Sequence, residues 1–217
     1  MIAIIGSKLD ESACELAAEW SAAGALLISA RDLCTQGWVF HVPKCAEDSF
    51  VAGGKTYSTA RLRAVLVRRP AVVAEELLWI VEEDRVYVAS EINAFLIAWL
   101  SALPCSVLNR PSATSLCGPG WSQMCWEVAA ARAGIAWAQA DDAIDSLEVV
   151  FCGHAQHGAA SDRQLSIGRQ LMVASGTHLL AVKFSGESVA AVTSQPRLST
   201  RPLRNLVLAH LEGASAA

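Results

Sequence analysis

The sequence predicts an α/β protein in which a parallel-sheet N-terminal lobe precedes a smaller α+β lobe. Short apolar runs alternate with helical patterns through residues 1–135, as βαβ units require. An acidic connection then crosses residues 136–146. Beyond it, two apolar runs flank Ser185-Gly186-Glu187, the spacing of an antiparallel hairpin. A length of 217 residues with 53% apolar and 18% charged residues supplies a sizeable core and excludes intrinsic disorder.

Met1-Ile2-Ala3-Ile4-Ile5, closed by Gly6-Ser7, reads as a buried strand and turn. From Asp10 to Ala23, the residues Ala13, Leu16, Ala17 and Trp20 recur at helical spacing, with Asp10 or Ser12 as N-cap and Gly24 as stop. Ala25–Ile28 is a second strand, so the unit is βαβ with a right-handed crossover. Residues 50–57 form a hairpin about Gly53-Gly54, which supplies positive φ. Ala64–Val67 is a strand ended by Arg68-Arg69-Pro70. A helix is expected over 74–81 and a longer one over 83–100, with Val86, Ala89, Ile92, Phe95, Leu96 and Trp99 on one side. Pro104 ends it, Cys105–Leu108 is a strand, and Gly118-Pro119-Gly120 introduces a helix over 122–133. The second lobe reads as a strand at 147–152, a polar turn at 153–161, a helix at 162–174, hairpin strands at 178–184 and 188–193, and a helix at 201–211. The two lobes span 1–135 and 147–212.

Composition narrows the function. A net charge of −4 with Arg spread along the chain gives no footprint for nucleic acid. No apolar run reaches the roughly 18 residues of a membrane span, and Met1–Ile5 lacks the basic start of a signal peptide. A cytoplasmic location is expected. The seven Cys contain no C-x-x-C pair, so they read as reduced core thiols. Seven Trp among few charges leave more apolar surface than a monomer hides, which predicts a protein partner or a homo-oligomer.

Several motifs could carry chemistry. Gly6-Ser7-Lys8 follows a strand where a helix N-terminus could hold phosphate, but lacks the spacing of a P-loop. Gly53-Gly54-Lys55-Thr56 imitates the end of such a loop without the helix that should follow. Cys152-Gly153-His154-Ala155-Gln156-His157 places a thiol and two imidazoles close together. Cys152, His154 and His157 are therefore weak candidates for a metal site or a Cys/His nucleophile, set against a plain polar turn. Arg68 and Arg69 end one sheet strand, Asn109 and Arg110 end another, and Glu91 lies on the long helix. Open α/β sheets bind ligands at such strand ends, and guanidinium forks suit carboxylate or phosphate. The alternative is an ion-paired structural cluster in which Glu91 neutralises Arg69 or Arg110.

Val67-Arg68-Arg69-Pro70, Ser90-Glu91, Leu108-Asn109-Arg110-Pro111 and Ala129-Ala130-Ala131-Arg132-Ala133-Gly134-Ile135 together resemble the N-terminal lobe of ATP-grasp ligases, most closely the graspetide (microviridin-type) peptide ligases. Val149–Gly153, the helix to Gly176, and Leu179–Phe184 through Val189–Pro196 resemble that family's C-terminal subdomain. The resemblance implies a pre-ATP-grasp-like lobe and a reduced ATP-grasp-like lobe lacking the nucleotide-lid subdomain, because only a short connection separates Gly134 from Val149. It further implies lost chemistry. The chain's lysines are Lys8, Lys44, Lys55 and Lys183, and Gln123 stands where the family has a lysine. Aligning the family's E-x-N-x-x-P segment with Ala191–Pro196 puts Ala191 and Thr193 at the Glu and Asn positions, and Lys183 at a preceding acidic one. Without carboxylates for Mg²⁺, phosphoryl transfer loses its electrostatic machinery. The expectation is a protein with no catalytic residues, metal or cofactor. It would be a scaffold for a biosynthetic, peptide-modifying enzyme, binding protein or peptide through Arg68, Arg69, Glu91, Asn109 and Arg110. Two rivals stay open: a repurposed enzyme using the Cys152 or Arg68 cluster, and a nucleotide or small-molecule binding module.

Overall fold

The computed structural model describes residues 1–42, 47–138 and 146–213. Packing divides the chain into two compact units, Met1–Cys117 with the end of the last helix from Leu211, and Gly118–His210.

In the first unit, β1 (Ile2–Ile5), β2 (Ala25–Ile28), β5 (Ala64–Val67) and β6 (Ser106–Leu108) form a parallel sheet in the order β2-β1-β5-β6. Every residue of β1 and β5 is buried. Covered on both faces, these strands need no polar alternation, which is why they read as unbroken apolar runs. Helix α1 (Glu11–Glu19) joins β1 to β2, and the Asp10 carboxylate caps it by accepting from Ala13 N at 3.3 Å. After β2 comes the short α2 (Ala30–Leu33), then the hairpin β3 (Ser49–Ala52) and β4 (Lys55–Ser58), turning on Gly53 and Gly54 at φ 56° and 72°. Buried Asp32 ties this region together. One carboxylate oxygen accepts from Ser29 N and Oγ at 2.9 and 2.6 Å, and the other from Gly54 N at 2.8 Å.

Helix α3 (Arg85–Ala102) lays Ala89, Ile92, Leu96, Trp99 and Leu100 into this core. Trp38 meets Phe95 and Trp99 edge-on at 5.4 and 5.2 Å. Two details differ from the sequence reading. Val86 is exposed rather than on the buried side. The expected helix at 74–81 is instead a pair of 3₁₀ turns, Ala74–Glu76 and Glu82–Asp84. One reason lies in Asn93 of α3. Its side chain clamps the backbone of Val72 on both sides, accepting from N and donating to O at 2.8 Å each, which holds the strand exit extended. Too few residues then remain for a helix that must stand on local bonds.

In the second unit, β7 (Leu147–Cys152), β8 (Ala155–His157), β9 (Leu179–Ser185) and β10 (Ser188–Thr193) form an antiparallel sheet in the order β10-β9-β7-β8. The stretch expected as a turn at 153–161 therefore holds a short strand. Helix α5 (Asp162–Ser175) starts with a Ser161/Gln164 capping box and ends at Gly176 in the left-handed conformation. It packs on Val149, Phe151, Leu180, Val182 and Phe184. Gly168 makes this possible, since a Cβ there would lie 2.0 Å from Phe151 Cζ. Helix α4 (Gln123–Arg132) joins the same cluster through Trp126 and Ala130, so packing groups it with the second unit, whereas the sequence pattern groups it with the first. Helix α6 (Arg201–Gly213) buries Leu203, Val207 and Leu211.

Candidate functional site

The structure spreads the arginine set over distinct environments. Arg69 is 6% exposed, with its Nε donating to Ala71 O at 2.9 Å and its Nη2 paired with Glu76. Its neutralising carboxylate is thus Glu76 of the first 3₁₀ turn. Glu91 lies exposed on α3. Arg69 Nη1 is buried with no hydrogen-bond partner among the described residues. Arg110 donates from Nη1 to Leu100 O and Ser101 O at 3.1 and 3.4 Å, and from Nη2 to Leu103 O and Cys105 O at 3.1 Å each. These are carbonyls that end α3 and the following turn, groups a helix leaves without internal donors. Arg68 is half-buried, and burial lowers its pKa while Asp10 and Cys117 oppose the shift. Asn109 is buried at the end of β6.

Gly6-Ser7-Lys8 holds no phosphate cradle. Helix α1 begins only at Glu11, behind the Asp10 carboxylate, and an N-terminal anion already occupies the favourable position for negative charge. A Cβ at Gly6 would lie 2.8 Å from Ala13 Cβ, so that glycine serves close packing.

In the second sheet, register brings together the three positions singled out by the family resemblance. Lys183 of β9 lies opposite Ala191 of β10 and opposite Glu148 of β7, with Thr193 opposite Ala181. Lys183, Ala191, Thr193 and Glu148 are all exposed. One ammonium and one carboxylate thus stand on this exposed face. No cluster of three His, Cys, Asp or Glu fit to hold a metal occurs among the described residues.

The Cys152 segment is not gathered into one site. Cys152 is buried at the end of β7, and burial pushes its thiol up to about 12, leaving it protonated at neutral pH and a poor nucleophile. His157 pairs with Val150 across β7–β8, its Nε2 3.5 Å from Thr200 Oγ1. His154 sits exposed at the turn, where it lines a cavity of about 560 Å³ with Arg169, His178 and His210. The His178 and His210 rings stack with centroids 6.5 Å apart. Burial lowers the His210 pKa, reinforced by His178 and His154. Sequence reasoning missed Arg169, His178 and His210, which lie on three separate elements with no motif linking them. It also missed Glu76 and Asn93, whose partners are backbone groups or a buried guanidinium rather than pattern neighbours.

No helix among the described residues is long and apolar enough to cross a membrane. No protein-family model matches the chain, and no curated protein matches it. Solved structures do. Macrocyclase MdnC of Microcystis aeruginosa, bound with precursor peptide MdnA, aligns over 100% of this chain and 99% of its own at TM-score 0.69 and 10% identity. ATP-grasp ligase PsnB, complexed with precursor peptide PsnA2 and AMPPNP, aligns over 97% and 98% at 0.69 and 12%. A Chryseobacterium gregarium RiPP-associated ATP-grasp ligase, in complex with ADP and a leader and core peptide, aligns over 99% and 96% at 0.65 and 9%. With its parallel sheet followed by an antiparallel sheet, this chain carries the fold of the ATP-grasp peptide ligases.

Proposed function

We propose that this chain is a non-catalytic ATP-grasp-like partner in peptide modification, binding a peptide or a peptide-modifying enzyme. The observation that carries the reading is the exposed face of the second sheet. Lys183 there faces Ala191, with Thr193 further along β10, at positions where the resemblance expects metal-holding Glu and Asn side chains. An ammonium repels Mg²⁺, and an alanine offers it no oxygen. Phosphoryl transfer relies on metal and cations to neutralise the triphosphate, so this face supports retention of the fold without that reaction. The neighbours solved with precursor peptides favour a peptide as the binding partner.

Of the expected peptide-binding set of Arg68, Arg69, Glu91, Asn109 and Arg110, Arg69 and Asn109 are buried and Arg110 is engaged by backbone carbonyls. Half-buried Arg68 and exposed Glu91 are therefore the members of the set to test. Calorimetric titration with ATP and Mg²⁺ is expected to give no heat, while affinity purification from the host should retain a peptide-modifying enzyme or its precursor. Arg68→Gln should weaken that capture. Saturable ATP·Mg²⁺ binding, or an isolated monomer with no retained protein, would overturn the reading.

A further inference from the structure

We infer that the cavity bounded by His154, Arg169, His178 and His210 is a binding site for an organic oxyanion on an apolar stem, a carboxylate or phosphate monoester. It lies within the second unit, at the end of the sheet where β7 finishes and β9 begins. Lys183 stands four residues further along β9, roughly 13 Å away at strand rise.

The argument starts from the lining. Three imidazoles and one guanidinium border the cavity, and no Asp or Glu does. Arg169 makes no hydrogen bond or ion pair among the described residues. A guanidinium presents a fork that matches an oxyanion, and protonated imidazoles add charge-assisted donors. Met172, Val173, Gly153, Gly176 and Thr177 complete the wall, with Val173 84% exposed. This surface is apolar enough to receive a hydrocarbon stem. At about 560 Å³ the space exceeds what a bare inorganic ion fills.

The site is built rather than incidental. Gly153 has φ 57°, and a Cβ there would fall 2.5 Å from His210 Cε1 and Nδ1. The turn therefore admits the imidazole only because this residue has no side chain. The charged and titratable groups facing His210 are His154 from the β7–β8 turn, Arg169 from α5, His178 ahead of β9, and the protonated Cys152 thiol from the adjoining surface. All of them are positive or neutral. Burial, His178 and His154 raise the cost of a proton on His210 in the empty cavity, and an anion placed among these groups reverses that repulsion. Binding should therefore take up protons and weaken as pH rises through the ordinary imidazole range.

The test uses the full chain and four probes: hexanoate, hexyl phosphate, inorganic phosphate and hexanol. Titration calorimetry at pH 5.5 and pH 8, in buffers of different ionisation enthalpy, reads affinity and proton uptake, while NMR follows the histidine Hε1 signals. Hexanoate or hexyl phosphate is expected to bind at pH 5.5 with proton uptake, to shift the His154, His178 and His210 signals, and to bind about tenfold more weakly at pH 8. Whichever of the two binds more tightly names the headgroup. Arg169→Gln and His154→Gln, both at exposed positions, should each weaken binding about fivefold to tenfold. His210→Gln would add the largest loss if it folds, but the inference stands or falls on the first two variants. Hexanol binding as well as hexanoate would overturn it. So would binding unchanged in Arg169→Gln and His154→Gln, the absence of binding by both charged probes at pH 5.5, or preferential uptake of Zn²⁺ by the three imidazoles.

Discussion

The two units treat positive charge in opposite ways. In the parallel-sheet unit two of the arginines at the strand ends serve the fold. Arg69 is buried against Glu76, and Arg110 gathers four carbonyls where α3 stops. In the antiparallel unit the exposed Arg169 makes no ion pair among the described residues and lines a cavity with no lining carboxylate. Charge satisfied internally holds a structure together, whereas charge left facing a cavity is free to recognise something. The arginine-rich motif that is conspicuous in the sequence thus belongs in part to the first kind. Arg169, inconspicuous in the sequence, belongs to the second.

That contrast can be broken by mutation. The largest effect is expected from Arg69→Ala, which strands Glu76 in a mostly buried setting and should cost about 3–5 kcal/mol, read as a lowered Tm. Arg169→Gln, its opposite number, should stay within about 0.5 kcal/mol of the parent; an equal loss from both would erase the distinction. Gly168→Ala comes next. Its Cβ collides with Phe151 inside the second core, and overpacking of this kind costs about 1–3 kcal/mol, checked by thermal melts. Arg110→Ala is expected to lose about 1 kcal/mol, since the carbonyls it serves lie partly in solvent and water replaces some donors.

The smallest effect is a pH dependence. His210 has a folded pKa below its unfolded value, so the unfolded chain binds the proton more readily in that window. Stability should be full above the ordinary imidazole pKa and fall as pH drops through it, levelling below the folded pKa. Tm measured from pH 8 to pH 5 should decline slightly in the parent and less in His154→Gln, which removes one repelling imidazole.

Much of the fold was legible because each sheet obeys a local rule. The buried strands Ile2–Ile5 and Ala64–Val67 announce themselves as apolar runs, and the Gly53-Gly54 and Gly186 turns mark their hairpins by positive φ. The segment 74–84 misled because its apolar spacing mimics a helix, while Asn93 of a distant element fixes the backbone of Val72 just ahead of it. Tertiary hydrogen bonds override local preference there. The candidate site followed the same division. Arg68, Arg69, Asn109 and Arg110 sit at strand ends as their positions in the chain imply. That Glu76 holds Arg69, and that His178 and His210 meet His154, depends on contacts between elements far apart in sequence, which no single stretch encodes.

The fit of the His210 ring over Gly153 has an evolutionary consequence. The two positions are coupled sterically, so they cannot drift independently. A homologue that acquires any side chain at 153 must surrender or swing away the imidazole at 210, and one that keeps the imidazole is bound to keep the bare backbone. Among descendants of this chain, that pair should covary more tightly than either residue's exposure would suggest.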